Sequence, residues 1–266
     1  MNVKANLVLI DFQNDFCLPT GTLSVPGAYE DSERVAKMIN RLSSGWYDIH
    51  ATLDSHHYND VAHPGFWRDK NGNPPNPFTL IYNKDIVAGT WQPKNPAYLD
   101  RMLAYTKTLE DSGKYILCIW PPHCLIGTPG HNFVQPIMDA LLDWEKNEFA
   151  MVDKVTKGSN FLTEHYSAIQ ADVPDPDDPT TMLNTRLIST LQEADVVPFA
   201  GEALSHCIKF TIEDIANNFG AENIKKLVFL EDGCSSVTGF EKQGEEFVQN
   251  MINLGMQVST TDKFNF

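Results

Sequence analysis

Basic residues are scarce in this sequence. Its 266 residues include 20 Lys and Arg against 35 Asp and Glu, which gives a formal net charge of −15 at pH 7. A surface of that sign repels phosphate backbones and anionic lipid headgroups. We therefore expect neither nucleic acid nor a membrane among the partners of this protein.

Long apolar runs and paired cysteines are also missing. Charged residues or prolines interrupt every apolar stretch well before the roughly 18 residues of a membrane span. The first eleven residues lack the small-residue cleavage site of a signal peptide. The five cysteines form neither a C-x-x-C pair nor an even framework, which suits a reducing compartment. We therefore expect a soluble, cytoplasmic protein.

Short apolar segments alternate along the chain with segments of helical spacing. The expected strands are Asn6–Asp11, Ile49–Asp54, Tyr115–Trp120, Val196–Ala200, Lys226–Asp232 and Met256–Thr260. The expected helices lie at about Tyr29–Leu42, Asn132–Trp144, Asn184–Ala194, Ser205–Asn218 and Glu241–Leu254. Nearly continuous apolar strands that alternate with helices predict an α/β protein, a three-layer α/β/α fold around a six-stranded, mostly parallel, doubly wound sheet.

We expect residues 1–266 to form a single domain, since no internal repeat or linker divides the chain. Two segments break the alternation of strands and helices. Residues 63–99 include NGNPPNPF at Asn71–Phe78, and Ala171–Thr181 reads ADVPDPDDPTT. The first is expected to be a long surface loop inserted in the domain. The second is expected to be a solvated connection rather than a binding site, because runs of acidic residues usually face water.

Cys207 is the leading candidate for a reactive side chain. It follows the strand predicted to end at Ala200 and falls in the first turn of the next helix, and ligands of doubly wound sheets bind beyond the carboxyl ends of strands. A helix N-terminus lowers the pKa of a thiol, and its N–H groups can receive an oxyanion. For a lone cysteine there, a small residue that packs the helix against the sheet would be the better interpretation. Polar groups at the other strand ends favour a nucleophile.

Asp54 and His56 alternate along an extended segment, so their side chains point the same way and could share one metal ion. His123, after the next predicted strand, would complete three ligands with open positions, as in a catalytic metal site. His63 could add a fourth contact, direct or through water. His57 faces the other way and receives no ligand role. The D-x-H pattern alone would fit an ordinary strand end equally well. The sequence WPPHC at the next predicted strand end, which contains His123, favours the metal site.

Five motifs occur in order, mostly after successive predicted strands: DFQNDF at Asp11–Phe16, Asp54-Ser55-His56 with His63, WPPHCLIGTPG at Trp120–Gly130, Lys157-Gly158, and GEALSHC at Gly201–Cys207. This pattern resembles the nicotinamidases, including pyrazinamidase-like enzymes, of the isochorismatase-like cysteine hydrolase superfamily. DFQNDF is typical of the whole superfamily, whereas D-x-H and WPPHC are typical of its metal-containing nicotinamidases. The resemblance covers most of the chain and implies the isochorismatase-like hydrolase fold.

The resemblance implies a role for each matching residue. Cys207 would attack the carboxamide carbon of nicotinamide, giving a thioester that water hydrolyses to nicotinate, with release of ammonia. Asp11 would take the thiol proton and pass it to the ammonia, while Lys157 would keep the pair charged. The competitor of Lys157 is Lys154, and the Lys-Gly motif favours Lys157. The backbone N–H groups of Ala203 and Cys207 would form the oxyanion hole, with a cis peptide before Ala203.

The resemblance also implies one divalent metal ion, held by Asp54, His56 and His123 with His63, which would bind the pyridine nitrogen of the substrate. Zinc is the expected ion, with iron and manganese as alternatives. Phe16 and Trp120 would sandwich the ring, although Phe16 would also fit a plain core position.

The chain departs from the resemblance at Glu202 and Leu204, where smaller residues are expected, and in the long interval between His56 and His123. These departures bear on the substrate more than on the reaction. An amidase for another small amide is therefore the first alternative, and a catalytically idle binding protein on the same fold is the second. A homo-oligomer remains open.

Overall fold

The computed structural model describes residues 3–266, and its centre is a parallel β-sheet. The ten strands are, in chain order, β1 (Ala5–Ile10), β2 (Trp46–Asp54), β3 (Trp67–Arg68), β4 (Leu80–Ile81), β5 (Gln92–Pro93), β6 (Leu117–Cys118), β7 (Asp153–Lys157), β8 (Val197–Glu202), β9 (Leu227–Ser235) and β10 (Gln257–Ser259). Six of them form the central sheet in the order β10-β9-β8-β1-β2-β7, and every neighbouring pair is parallel. The predicted six-stranded parallel sheet is confirmed.

The side on which successive strands join the sheet switches between β1 and β8. Along the chain, β2 and β7 are added on one side of β1, and β8, β9 and β10 are added on the other. Doubly wound sheets bind ligands in the crevice beyond the carboxyl ends of the strands at such a switch point. All residues of β1 and β8 are buried, so the crevice is built on the most rigid part of the core.

The helices cover the sheet. They are α1 (Asn14–Cys17), α2 (Ala28–Arg41), α3 (Asn83–Val87), α4 (Leu99–Asp111), α5 (Gln135–Glu148), α6 (Thr185–Gln192), α7 (Lys209–Phe219) and α8 (Glu241–Leu254). α2 packs against α5, whereas α7 packs against α6 and α8. Because right-handed crossovers reverse direction at the switch point, these two groups lie on opposite faces. The three-layer arrangement is the predicted one.

One predicted strand of the sheet is wrong. Of Tyr115–Trp120, only Leu117–Cys118 is a strand, and it pairs antiparallel with β4 outside the central sheet. The sixth strand of the sheet is β7, Asp153–Lys157, which was not predicted. β7 is an edge strand with exposed or half-exposed residues at alternate positions, so the sequence DKVTK lacks the continuous apolar run of the inner strands.

Residues 63–99 contain short elements and several buried side chains. β3 pairs with β5, α3 follows β4, and Trp67 is 1% exposed. The unpredicted helix α4 follows this segment, with Met102, Tyr105 and Leu109 buried along one stripe. Within residues 3–266, no helix combines the length and apolarity needed to cross a membrane.

Candidate active site and metal centre

Polar residues stand at the carboxyl ends of four neighbouring strands of the sheet. Asp11 follows β1, Asp54 ends β2, Lys157 ends β7 and Glu202 ends β8. The register places Asp54 directly opposite Lys157 on the neighbouring strand. Because all these strands are parallel, residues more than 100 positions apart in the chain arrive at one place.

The ammonium group of Lys157 connects the predicted catalytic residues. Its Nζ lies 2.9 Å from Asp11 Oδ2, 2.9 Å from Asp54 Oδ1 and 3.6 Å from Cys207 Sγ. It also donates to the carbonyl oxygen of His165 at 3.0 Å. Burial lowers the pKa of Lys157, but the carboxylates of Asp11 and Asp54 raise it well above its usual range, so the group stays charged.

Lys154 lies on the same strand but does not reach the site. Its side chain is 45% exposed, and its only ion pair within residues 3–266 is a 3.9 Å contact with Glu145. In β7, burial alternates between neighbouring residues, so Lys157 points inward and Lys154 outward. Of the two candidates, the structure brings only Lys157 to Cys207.

Two hydrogen bonds with Thr52 hold Asp11 in place. The hydroxyl of Thr52 donates to Asp11 Oδ1 at 2.5 Å and accepts from the Asp11 backbone N–H at 3.0 Å. Burial raises the pKa of Asp11, while Lys157 lowers it and Asp54 raises it further. Its carboxyl therefore holds a proton more readily than an exposed aspartate, which suits a group that accepts a proton and then returns it.

Cys207 lies in a five-residue turn, Leu204–Ile208, that has π-helical geometry and leads into α7. The carbonyl oxygen of Ala203 accepts from the N–H groups of His206 at 3.0 Å and Ile208 at 3.2 Å, which fixes the start of the turn. Ala203 and Cys207 both line the candidate cavity, and the peptide bond between Glu202 and Ala203 is cis.

The predicted low pKa of the Cys207 thiol is wrong. Burial raises the pKa of this thiol well above its usual 9.0, and the opposing effect of Lys157 is smaller. The sulfur is buried among side chains instead of lying at an exposed helix end, so loss of hydration outweighs the helix terminus. The resting thiol therefore keeps its proton, and Asp11, which contacts the same ammonium group of Lys157, is the group placed to remove it.

The predicted metal ligands also come together. Asp54 Oδ2 lies 2.9 Å from His56 Nε2 and 3.4 Å from His123 Nε2. His63 Nε2 lies 3.3 Å from His123 Nδ1. His56, His63 and His123 each offer one ring nitrogen, and these three atoms lie within 4.8 Å of one another. All four side chains are buried, and imidazole nitrogens with one carboxylate oxygen form a donor set that fits a divalent ion.

The backbone explains how His123 reaches His56. Beyond β2, His56 forms an isolated parallel bridge with Leu125: the N–H of His56 donates to Cys124 O at 3.1 Å, and Ile126 N–H donates to His56 O at 3.1 Å. His123 therefore lies in a loop whose backbone pairs with His56, just beyond the end of β2. The predicted placement of this loop after a central strand is wrong, because β6 lies outside the sheet.

Neighbouring groups orient the histidine rings. Asp60 Oδ2 lies 3.1 Å from His56 Nδ1, and the carbonyl oxygen of His57 lies 3.2 Å from His63 Nδ1. Such partners fix the free nitrogen of each ring toward a metal. Burial, His123 and His56 lower the pKa of His63 to about 2, so this ring is neutral, the state that binds metals. The His57 side chain is exposed, as predicted for a residue without a ligand role.

A cavity opens beside these groups, with Phe16, Trp120, Asp54, His123, Ala203 and Cys207 in its lining. The Phe16 ring lies 5.4 Å from the His123 ring, and Trp120 Nε1 donates to the Tyr166 hydroxyl at 3.0 Å. The cavity therefore offers aromatic surfaces next to both the thiol and the predicted metal ligands. Its remaining lining residues were not predicted: Leu23, Val25, Glu164, Tyr166, His206 and Val237.

The supporting hydrogen-bond partners were also missed. Thr52 and Asp60 are ordinary residues in the sequence, and only the fold brings them to Asp11 and His56. Gln13 had a usable signal, since it belongs to the DFQNDF motif. Its amide accepts from Asp54 N–H at 2.7 Å and donates to Asp54 O at 2.8 Å, so it holds the end of β2 beside β1.

A buried thiol, carboxylate and ammonium meet at the switch point of a doubly wound α/β sheet, and these are the groups that a thiol-dependent hydrolase requires. No protein-family model matches the chain. The nicotinamidase of Saccharomyces cerevisiae is 26% identical over 209 residues, which cover 77% of this chain and 78% of the relative. The nicotinamidase/pyrazinamidase of Mycobacterium tuberculosis is 27% identical over 232 residues, which cover 87% and 88%.

Solved structures agree with these relatives in fold. The yeast nicotinamidase superposes with a TM-score of 0.66 at 21% identity, and the match covers 96% of this chain and 98% of that chain. The pyrazinamidase of Pyrococcus horikoshii, solved in complex with zinc, gives a TM-score of 0.57 at 19% identity over 97% and 99%. Together the comparisons confirm the resemblance to nicotinamidases of the isochorismatase-like family.

Proposed function

We propose that the protein is a metal-dependent nicotinamidase, a hydrolase that converts nicotinamide and water to nicotinate and ammonia. The observation that carries this proposal is the position of Lys157. One buried ammonium contacts Asp11, Cys207 and Asp54, and so joins a thiol-based catalytic group to a histidine-rich metal site. The aromatic cavity beside these groups supports a small aromatic amide as the substrate.

In the proposed reaction, Cys207 Sγ attacks the carboxamide carbon while Asp11 accepts the thiol proton. Lys157 stays protonated and balances the negative charge on the two groups. The carbon–nitrogen bond then breaks, and Asp11 returns the proton to the departing amide nitrogen, which leaves as ammonia. Water attacks the resulting thioester, Asp11 takes its proton, and the carbon–sulfur bond breaks to release nicotinate and restore the thiol.

We assign stabilisation of the oxyanion to the backbone N–H groups of Ala203 and Cys207, which both belong to residues that line the cavity. Phe16 and Trp120 would hold the ring from two sides. Burial of both side chains next to the cavity supports this assignment, and it also fixes their orientation without further cost in side-chain entropy.

Asp54, His56, His123 and His63 would hold the divalent ion. We propose zinc, with iron and manganese as alternatives, because the donor set of three imidazoles and one carboxylate suits a borderline metal. When bound, the ion would supply a Lewis acid for the ring nitrogen of the substrate. The chain itself provides the aromatic walls and the dry surroundings.

We further propose that residues 1–266 act as one domain with an insertion at 63–99. A cytoplasmic location is supported by the five cysteines, all of which are unpaired. A homo-oligomer stays a prediction.

A different small amide is the second candidate substrate, favoured by one feature of the insertion. Phe78, from the segment Asn71–Phe78, meets the Trp120 ring edge-on with 5.8 Å between centroids. The insertion thus packs against one residue of the cavity wall, and through Trp120 it could change which ring fits. The idle binding protein is disfavoured by the buried charges, since a binding role requires no thiol, carboxylate and ammonium in mutual contact.

The test is release of ammonia from nicotinamide by the purified, zinc-loaded protein, with pyrazinamide and benzamide in parallel. We expect turnover of nicotinamide and little turnover of benzamide, which lacks a ring nitrogen. Cys207→Ala should abolish activity. The matched control is Cys118→Ala, which removes another buried thiol without touching the catalytic groups. Full activity of Cys207→Ala would overturn the mechanism, and turnover of another amide alone would overturn the substrate.

A further inference from the structure

Two buried carboxyl groups lie against each other behind the turn that carries Cys207. Glu202 ends β8 and is 0% exposed, and Asp31 lies in the first turn of α2 and is 2% exposed. Ser235 binds both of them, through its N–H to Glu202 and its hydroxyl to Asp31. Two ionised carboxylates repel each other when they are buried this close together, so we infer that one of the two groups is protonated. The sequence assigned neither residue a function.

The surrounding donors identify which group carries the proton. Ser235 lies opposite Glu202 on β9; its N–H donates to Glu202 Oε2 at 3.3 Å, and its hydroxyl donates to Asp31 Oδ2 at 2.6 Å. The guanidinium of Arg34 pairs with Asp31 Oδ1. Glu202 Oε1 receives no donor from the described residues. We therefore infer that Glu202 is the protonated member and that its O–H faces the Asp31 carboxylate.

This pair is connected directly to the catalytic turn. Glu202 precedes Ala203, whose carbonyl oxygen accepts the two N–H groups that start the turn Leu204–Ile208. The side chain of Glu202 ties this point of the chain to α2 and β9, while the backbone continues into the cavity. A shift of Glu202 would therefore move both Ala203 and the thiol of Cys207.

We propose that Glu202 is a positioning residue, whose protonated carboxyl group is held by Asp31 and Ser235 and anchors Ala203 and the Cys207 turn for attack on the substrate. This inference rests on the proposed amide hydrolysis. It differs from a general packing role because it requires a hydrogen-bond donor at this position, and because that donor can be lost at high pH.

The charges around the pair support a proton that titrates only at alkaline pH. Burial and the neighbouring Asp31 raise the pKa of Glu202 well above its usual 4.5. The titratable and charged groups that face it are Asp31 and Arg34 on α2, Cys17 in α1, and Cys234 on β9. Loss of the proton would leave two adjacent carboxylates beside one guanidinium, and the anchor would be repelled from α2.

The test compares kcat and KM for nicotinamide in Glu202→Gln and Glu202→Leu. A glutamine amide can donate to Asp31 and accept from Ser235, so Glu202→Gln should keep kcat within about twofold at pH 7. Leucine has similar size but cannot donate, so Glu202→Leu should lose about 10- to 100-fold in kcat with little change in KM. The ratio of kcat for Glu202→Gln to kcat for wild type should rise at alkaline pH, because the amide cannot ionise.

The control is Glu222→Leu, which removes an exposed glutamate and should leave kcat unchanged. The proposal is overturned if folded Glu202→Leu has wild-type kcat, or if Glu202→Gln loses as much as Glu202→Leu. If Glu202→Leu does not fold, the pH dependence of Glu202→Gln decides the question. The proposal is overturned if the ratio of kcat for Glu202→Gln to kcat for wild type does not change between neutral and alkaline pH.

A second readout separates this proposal from the proposed substrate. Alkylation of Cys207 by iodoacetamide, followed by mass spectrometry of the peptide, reports the position of the thiol without any amide substrate. Glu202→Leu should slow alkylation several-fold, because the thiol moves away from Asp11, and Glu202→Gln should not. If wild type fails to hydrolyse nicotinamide but alkylation follows this pattern, the proposed function fails and the positioning role stands.

Discussion

Lys157 is the residue on which both parts of the site depend. Its ammonium balances two buried carboxylates, and without it no lysine would offset the repulsion between Asp11 and Asp54. Removing one partner from a buried ion pair is costly, because the remaining charges stay desolvated. The thiol of Cys207 would also lose the only cation within reach among residues 3–266.

Lys157→Met should therefore lower kcat/KM for nicotinamide by about 10³-fold, while Lys154→Met should stay within about twofold of wild type. Both variants replace a lysine of β7, but only Lys157 is buried. Steady-state kinetics with a circular dichroism check of folding would decide. Equal losses in the two variants would contradict the assignment of Lys157.

Asp60 is expected to control metal affinity through His56. Asp60→Ala removes the acceptor at His56 Nδ1 and should weaken zinc binding by about 10- to 100-fold, measured by competition with a chromophoric chelator. Asp69→Ala, which removes a half-exposed aspartate from the insertion at 63–99, is the control and should bind zinc as wild type does. Unchanged affinity in Asp60→Ala would show that the His56 ring needs no orienting partner.

Among the elements, β8 decides the geometry of the site because it lies next to β1 at the switch point. Gly201 has φ of +142°, and a Cβ atom there would lie 2.0 Å from the carbonyl oxygen of Ile10. Only glycine lets the two strands approach this closely immediately before Glu202 and the catalytic turn.

Gly201→Ala should destabilise the protein by more than about 3 kcal/mol, because the clash is with backbone that cannot move away. Gly72→Ala is the matched control. Gly72 also has a positive φ, but its Cβ would meet nothing within 4 Å, so only about 1 kcal/mol of backbone strain is expected. Urea unfolding of both variants tests this difference. Similar losses in the free energy of unfolding would indicate that the positive φ, and not the clash with Ile10, causes the destabilisation.

At the scale of the whole molecule, the excess of acid leaves carboxyl groups inside the protein as well as on its surface. Asp172 is one of them. Burial raises its pKa from 3.8 to about 6, although Lys114 lies 3.4 Å away and lowers it. The folded state therefore binds this proton more tightly than the unfolded state, and the stabilisation is present at low pH and lost as the pH rises through about 6.

Asp172→Asn should consequently be more stable than wild type at pH 7, by up to about 3 kcal/mol at 1.36 kcal/mol per pKa unit, since the raised pKa already includes the opposing effect of Lys114. Near pH 4 the two proteins should differ little. The free energy of urea unfolding at both pH values measures this, with Asp111→Asn, an exposed pair with Lys107, as a control expected to stay near zero. A variant less stable at pH 7 would show that the Lys114 pair dominates.

The sequence by itself determined the chemistry of the protein and its class of fold. Apolar runs predicted five of the six central strands, since inner strands of a parallel sheet are buried on both faces. The motifs predicted the residues that the structure brings together, because thiols, imidazoles and carboxylates at strand ends have few purely structural uses. The sequence failed at β7, whose edge position needs no apolar run, and at the thiol pKa, since burial cannot be derived from spacing.

Only the tertiary structure decided the geometry around these residues. Long-range packing brings Thr52 to Asp11 and Asp60 to His56, places His123 by way of the bridge at His56, and seals Cys207 from water. It also pairs Glu202 with Asp31, two acids separated by most of the chain. The physical reason is that side-chain chemistry is local, whereas desolvation and hydrogen-bond partners depend on which distant segments pack together.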